Sequence, residues 1–484
     1  MGHFVPHTEA EIAEMLASIG LDSLDDLFSV IPEALRLAGG LDLPPGLSEF
    51  DALARMEELA ARNRPASRDL VCFAGAGAYD HEIPAAVRRL AFRSEFVTAY
   101  TPYQPEVAQG VLQALFEYQT VLCRLSGMDV ANASLYDGAS ATVEAVNLAV
   151  AATGCQTVWL SRGVHPNWRQ VVATYAAGTG HELVDVPLAG GVTAWPAVDG
   201  DQSGRRAGAV VVAYPNYLGC LDDLAAAAEA ARRAGALLVV AFDPVAAGLL
   251  RPPADHGADV VVGEGQPFGT PLSFGGPYLG LFATRREHVR RLPGRLVGET
   301  VDADGRRAYV TTLRTREQDI RREKASSNVC TNQTLIAVAC VIQLGWLGTA
   351  GLRELALRCA RGTRYTRDAL LAIDGVEPLV EAPVLREFAV RTPVPAAVVV
   401  ERMAEEGFLA GVAVDQDEFG AGLRGPNAET GLRGPNAETG LRGPNAETGL
   451  RGPNAETGLL IAVTEKRTRD EIDAYVAAFE KVVR

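Results

Sequence analysis

The sequence predicts an α/β protein with a large, mostly parallel sheet domain and a smaller α+β domain after it. Three observations carry this expectation. Segments 208–214, 236–242 and 258–262 are short, continuous apolar runs, and the alanine-rich stretch 222–234 between the first two has helical composition. Continuous apolar strands alternating with helices indicate a parallel sheet covered on both faces. In the last hundred or so residues the pattern changes: 386–391 alternates, 397–408 reads as a helix, and 458–463 reads as a strand.

The elements follow in chain order. Thr8 and Glu11 form a T-x-x-E capping box, with Ile12, Met15, Leu16 and Ile19 behind it at helical spacing. A second acidic, helical stretch covers 24–35, and Pro- and Gly-rich residues 39–48 separate this arm, 1–65, from the body. The large domain is expected over 66–365 and the small one over 366–484. Its terminal helix starts at a second capping box, Thr468 with Glu471. Residues 422–457 are four identical copies of GLRGPNAET. One leucine per nine residues cannot build a core, and Gly with Pro breaks helix and strand alike. This segment reads as a surface loop, whose closure entropy grows only slowly with length.

Charge and composition exclude several classes. The 484 residues carry a net charge of −15, which argues against a general binder of nucleic acid or anionic membranes. Against that trend, 285–324 holds eleven Arg and one Lys against seven acids, a local +5 that suits an ion-paired face or an acidic partner. The seven cysteines are scattered with no CxxC pair, so a reduced, cytoplasmic chain is expected. The seven histidines show no paired ligand spacing, and no metal site is expected. The opening MGHFVPHTEAEIAEML lacks the basic and apolar regions of a signal peptide. No run approaches the roughly 20 apolar residues of a membrane span.

Ligands on open α/β sheets bind beyond the carboxyl ends of strands, which is where Asp243 and the glycine-rich segment 257–280 fall. Asp243 suits the cationic nitrogen of a pyridine ring, or the simpler task of capping the turn at Pro244. The DGASA turn at Asp137 and Gly138 opens a helix whose amides could take an anion such as phosphate; an ordinary N-cap explains it equally well. His165, after the strand 156–161, could lie on a heteroaromatic ring or be a satisfied loop histidine. The rigid loop around Tyr100, Thr101, Tyr103 and Gln104 is dense in aromatic and polar groups between prolines, as functional loops are. In order and spacing these positions reproduce a pocket for pyridoxal phosphate (PLP). Yet the chain has only three lysines, Lys324, Lys466 and Lys481, and Gln266–Pro267 stands where a His-Lys pair would carry the imine. A proline nitrogen, tied into the ring and the peptide bond, cannot form one.

The segments FAGAGAYDHEIP, SEFVTAYTPYQPE, GMDVANASLYDGASA, GADVVVGEGQPFGTPLSFGGPYLG, PGRLVGETVDADGRRAYVTTLRTREQDIRREKASSNVCTNQ and GLLIAVTEKRT resemble the glycine-cleavage P-protein family. They resemble more narrowly its N-terminal half, a separate chain in many bacteria. The resemblance implies the PLP-dependent transferase fold of the aspartate-aminotransferase type (fold type I). It also implies a share in decarboxylating glycine and passing the aminomethyl group to the lipoyl arm of H-protein. PLP is then expected on the partner subunit 2, with none covalently bound to this chain, and a heterotetramer of two of each chain is expected. Aligning the partner's Asp-to-His-Lys spacing on Asp259 puts the missing lysine at Pro267. By the same resemblance, Tyr100, Thr101, Tyr103, Gln104, Ser326, Asn328, Thr331 and Asn332 would line the partner's active site. Asp137, Gly138, His165 and Asp243 would be a relict pocket. Two other readings stay open: a non-catalytic scaffold, and a self-sufficient enzyme using Lys324.

Overall fold

The computed structural model of the chain describes residues 6–37, 41–66, 68–97, 102–196, 206–313, 325, 327, 329–415, 419 and 458–484. Two units separate in it, Met1–Arg64 and Pro65–Arg484. In the first, helix α1 (Glu9–Ser18) starts at the expected capping box. Thr8 Oγ1 accepts from the Glu11 amide at 3.3 Å while Glu11 Oε2 accepts from the Thr8 amide at 2.7 Å. That satisfies two of the N–H groups a helix start leaves open. The helix expected over 24–35 is instead two short 3-10 turns, Leu24–Phe28 and Glu33–Leu35. Pro32 lies between them, and its missing N–H and fixed ring interrupt a continuous ladder. Helix α2 (Glu49–Ala60) follows behind its N-cap Ser48.

The second unit is built on seven strands: β1 (Val130–Ala131), β2 (Thr157–Ser161), β3 (Glu182–Val186), β4 (Ala209–Tyr214), β5 (Leu237–Phe242), β6 (Val260–Glu264) and β7 (Gly280–Thr284). They lie in the order β1-β7-β6-β5-β4-β2-β3. The strands from β6 to β3 are parallel neighbours, whereas β7 runs antiparallel to both β6 and β1. Successive residues of a strand face opposite sides, and the core divides accordingly. Val210, Val212, Leu238 and Val240 pack with helices α3 (Gln109–Ser126), α6 (Leu224–Ala234) and α7 (Thr334–Leu370). Val211, Val239, Ala241 and Val262 pack with α4 (Gly138–Thr153) and α5 (Pro166–Thr179). Burial on both faces is why these strands read as unbroken apolar runs.

Helix α7 contains an 18-residue window of mean hydropathy 1.9, long and apolar enough to cross a membrane by that measure. Its Ala337, Cys340, Val341, Leu355 and Ala356 pack in the core with α3 and α6, as the central helix of a globular unit does. The helix is interrupted by the non-helical Gly348 (φ 59) and runs across residue 365, where the large domain was expected to end.

After the hairpin of β8 (Leu296–Val301) and β9 (Arg307–Thr312), the C-terminal part forms an antiparallel sheet ordered β10-β11-β13-β12. Its strands are β10 (Glu377–Pro378), β11 (Glu387–Arg391), β12 (Val412–Val414) and β13 (Gly458–Ala462). Helices α8 (Ala396–Glu405) and α9 (Arg469–Val483) bury Val399, Met403, Tyr475 and Phe479 against Phe388, Val390, Leu459 and Ile461. The helix expected over 397–408 stops at Glu405, because Phe408 belongs to a short strand paired with Val71–Cys72. The repeat 422–457 lies outside the described residues.

Candidate functional site

A cavity opens beyond the carboxyl ends of β4, β5 and β6, about 560 Å³ with its open mouth included. Tyr79, His165, Trp168, Asp243, Pro267 and Arg386 are among its walls. Three of the residues expected to form a relict pocket or the lysine position thus do meet. Asp137 and Gly138 stand beside them at the start of α4, which reaches the cavity through Glu264.

The carboxylates and the imidazole expected to serve a ligand there already have partners. Asp137 is the N-cap of α4, its carboxylate accepting from the Ser140 amide at 2.6 Å. His165 caps α5: Nδ1 accepts from the Asn167 amide at 3.1 Å, so Nε2 carries the proton and donates to the Ala76 carbonyl at 2.8 Å. Burial lowers the pKa of this ring, consistent with a neutral imidazole. Asp243 Oδ1 accepts from the Val245 amide at 3.0 Å, and Oδ2 pairs with Arg386 Nη2 at 2.7 Å.

Arg386, immediately before β11, ties this cavity into a buried relay. Its guanidinium lies 3.5 Å from the centroid of the Tyr79 ring, and Nη1 is 2.7 Å from His81 Nε2. A guanidinium only donates, so His81 carries its proton on Nδ1 and donates a hydrogen bond from it to Glu465 Oε2 at 2.6 Å. Burial opposes the charge on Arg386, yet Asp243 and its neighbours hold its pKa above the usual value. Burial likewise opposes the charge on Glu465, but the His81 hydrogen bond keeps that carboxyl down at about 2. Glu387 accepts from the Ala76 amide at 2.6 Å and the Tyr79 hydroxyl at 2.8 Å, and burial pushes it up to about 7. His81, Cys359 and Glu465 hold the one cluster of metal-ligand type among the described residues, with ligand atoms within 4.8 Å. The Arg386 cation already sits on that imidazole, and burial pushes the Cys359 thiol well up, both unfavourable to a metal ion.

These residues do not fit PLP. Pro267 supplies no amine. The Gly138 amide, first in the sixteen-residue α4, donates to Glu264 Oε2 at 3.0 Å rather than facing an open anion site. Glu264 Oε1 accepts from the Gln266 and Leu279 amides at 2.9 and 2.8 Å, and burial pushes its carboxyl up to about 7 against those three N–H groups. The indole of Trp168 crowds the same spot, 2.2 Å from where a Cβ on Gly138 would stand. Asp243, the acceptor a pyridine nitrogen would need, is held by Arg386.

A second constellation forms near β1, the edge strand of the large sheet. Arg295, 9% exposed, sends Nη1 to Asn332 Oδ1 at 2.7 Å and Nη2 to Tyr103 Oη at 2.7 Å and to the Cys330 carbonyl at 3.0 Å. The loop after β1 grips the same segment. Ser134 Oγ accepts from Asn332 Nδ2 at 2.9 Å and the Gln333 amide at 3.1 Å, while Tyr136 Oη accepts from the Cys330 amide at 3.3 Å. Ser134 takes φ 142, a conformation rare outside glycine that persists only where its surroundings over-determine it. Of the residues expected to line a partner's site, Tyr103 and Asn332 are brought together here, and Gln104 and Thr331 are exposed. Tyr100, Thr101, Ser326 and Asn328, like Lys324, lie outside the described residues. Sequence reasoning missed Arg295, Glu264 and Arg386. The signals were thin: an acid closing the apolar run VVVGE, and an arginine opening an alternating strand.

The mixed sheet, the cavity at its strand ends and an aspartate closing β5 define a fold of the PLP-dependent transferase class, with Pro267 in the cavity wall. Solved structures agree on the fold. A NifS-like protein from Rickettsia africae shares 10% identity at a TM-score of 0.55, over 85% of this chain and 99% of that one. A sphingosine-1-phosphate lyase from Burkholderia pseudomallei shares 15% at 0.58, over 94% of each chain. The chain belongs to the glycine cleavage system P-protein family, whose model matches residues 2–424. It is 44% identical to a "Probable glycine dehydrogenase (decarboxylating) subunit 1" of Moorella thermoacetica, over 99% of both chains. It is 45% identical to the protein so named in Chlorobaculum tepidum, over 98% of both. A crystal structure of glycine decarboxylase (P-protein) of the glycine cleavage system, in inhibitor-bound form, is 42% identical with a TM-score of 0.85, over 99% of this chain and 100% of that one.

Proposed function

We propose that this chain is the PLP-free subunit of a cytoplasmic glycine decarboxylase, inactive alone, which completes the active site of a PLP-bearing subunit 2. The assembly would be a heterotetramer with two of each chain. One observation carries the reading: the cavity that should hold the cofactor is closed on itself, while Tyr103 and Asn332 are held at the sheet edge by a buried arginine. The name subunit 1 among its relatives supports a second chain.

On that partner, PLP would supply the electron sink that lets the bond to CO2 break. The assembly would pass the aminomethyl group to one sulfur of the H-protein lipoyl disulfide, the other sulfur being released as a thiol. This chain's part is to line and to exclude. Tyr103 and Asn332 are neutral hydrogen-bonding groups, and a water-excluding wall of such groups protects a carbanion without competing for its charge. Arg295 fixes both by directed hydrogen bonds, which is what near-attack positioning requires.

The test is a glycine–CO2 exchange assay with lipoylated H-protein, on each chain alone and on the two co-expressed. Activity only in the mixture is expected, and full activity of subunit 2 alone would overturn the reading. Tyr103→Phe and Asn332→Ala separate lining from scaffolding: the lining role predicts lost turnover with assembly intact. Unchanged turnover in both would leave a non-catalytic scaffold. A yellow aldimine in the isolated chain, abolished by Lys324→Ala, would instead mark a self-sufficient enzyme.

A further inference from the structure

We propose that this chain excludes PLP by construction and not merely by the loss of one lysine: the Glu264 carboxyl occupies the α4 N-terminus where a phosphate ester would sit, Trp168 fills the space above it, and Arg386 occupies Asp243. Restoring an amine at position 267 is therefore insufficient to load the site.

A helix N-terminus offers N–H donors and a positive dipole end to an anion. Here the donor at the head of α4 is taken from inside. Glu264 closes β6, and β6 ends beside the start of α4, so the side chain needs no loop movement to reach Gly138. Its two oxygens take amides from three separate segments, at Gly138, at Gln266 and at Leu279. A phosphate arriving there would have to displace the Gly138 bond and then lie against a carboxyl still anchored by Gln266 and Leu279, beside Asp137. Steric room is short as well, since the Trp168 ring leaves no space even for a methyl on Gly138. At the far end of the cavity a buried Arg386 pairs with the part-buried Asp243, with side chains 5% and 14% exposed, and a pyridinium would have to break the pair. Three internal contacts thus occupy the places that a phosphate and a pyridine nitrogen would need, and none involves Pro267. None of this depends on what the sheet-edge cluster does.

The experiment uses the full chain as wild type, Pro267→Lys, and Pro267→Lys with Glu264→Ala and Trp168→Ala. Each is incubated with excess PLP, gel-filtered, reduced with borohydride and mapped. With Lys324, Lys466 and Lys481 the only native lysines, adventitious imines are separable from one at 267. Wild type and Pro267→Lys are expected to retain under about one-tenth equivalent of PLP, and the triple variant at least about fivefold more, reduced onto residue 267. Near-stoichiometric PLP on wild type or on Pro267→Lys would overturn the proposal. So would a folded triple variant that binds no better than Pro267→Lys. Should the triple variant not fold, Glu264→Ala alone decides. Inorganic phosphate should raise its melting temperature and not that of wild type, and an equal response in the two would refute the built-in blocking group.

Discussion

The cavity at the strand ends and the cluster at the sheet edge are both polar, but they close in opposite senses. In the cavity, polar groups answer one another inside the chain: Asp243 pairs with Arg386, the His81 imidazole donates to Glu465, and Glu264 accepts from three amides. Such a network directs most of its hydrogen bonds inward, which stiffens the fold and leaves few groups for a substrate. At the edge a single buried cation organises neutral groups, a phenol and a carboxamide, and exposed Gln104 and Thr331 flank them. Perturbed titration and ionic density are usual pointers to an active site. In this protein they mark the strand-end cavity, while the proposed function rests on the less charged cluster.

The largest effect should come from breaking the cavity's ion pair. Arg386→Met leaves Asp243 buried and uncompensated, a loss of about 3–5 kcal/mol for pairs of this kind. Denaturant unfolding of the isolated chain measures it, and Asp243→Asn added to Arg386→Met should recover most of the loss. If the contrast holds, that double variant assembled with subunit 2 keeps turnover within about twofold of wild type. A folded double variant that assembles yet loses turnover would return function to the cavity.

Arg295→Lys is the converse probe and should act on rate more than on stability. Lysine keeps the charge but not the fork that reaches Tyr103, Asn332 and the Cys330 carbonyl together. A ~10-fold fall in kcat of the assembled enzyme is expected, since small displacements of positioning groups are expensive in rate. Arg295→Lys with wild-type kcat, where Tyr103→Phe is impaired, would show that Tyr103 matters but does not need this anchor.

Much of the fold was legible because burial on both faces leaves a plain trace. The runs at 208–214, 236–242 and 258–262 became β4, β5 and β6 within a few residues. The antiparallel sense of β7 was not legible: a buried strand reads the same in either direction, and its sense is set by how the loop 265–279 returns. The edge cluster was half legible. Tyr103 and Asn332 sit in decorated loops, but Arg295 sits in an ordinary arginine-rich stretch and earns its role through contacts 37 and 192 positions away. Glu264 likewise meets Gly138 across 126 positions, a distance no local pattern encodes.

The smallest effect, and the finest test of the saturated cavity, is its response to pH. Burial raises Glu387 from an ordinary 4.5 to about 7, so the folded chain binds this proton more tightly than the unfolded chain does. The stabilisation it contributes is complete below about pH 4.5 and is lost as pH rises through about 7, because the unfolded carboxyl gives up its proton first. Glu465, held near 2, works in reverse: its contribution is present above about 4.5 and fades as pH falls toward 2. Glu387→Gln should therefore flatten the decline of melting temperature between pH 4.5 and 7 and leave the acid limb alone. Glu465→Gln should do the opposite. If Glu387→Gln leaves the decline between those limits unchanged, its carboxyl is ionised in the fold, and Arg386 governs it more than burial does.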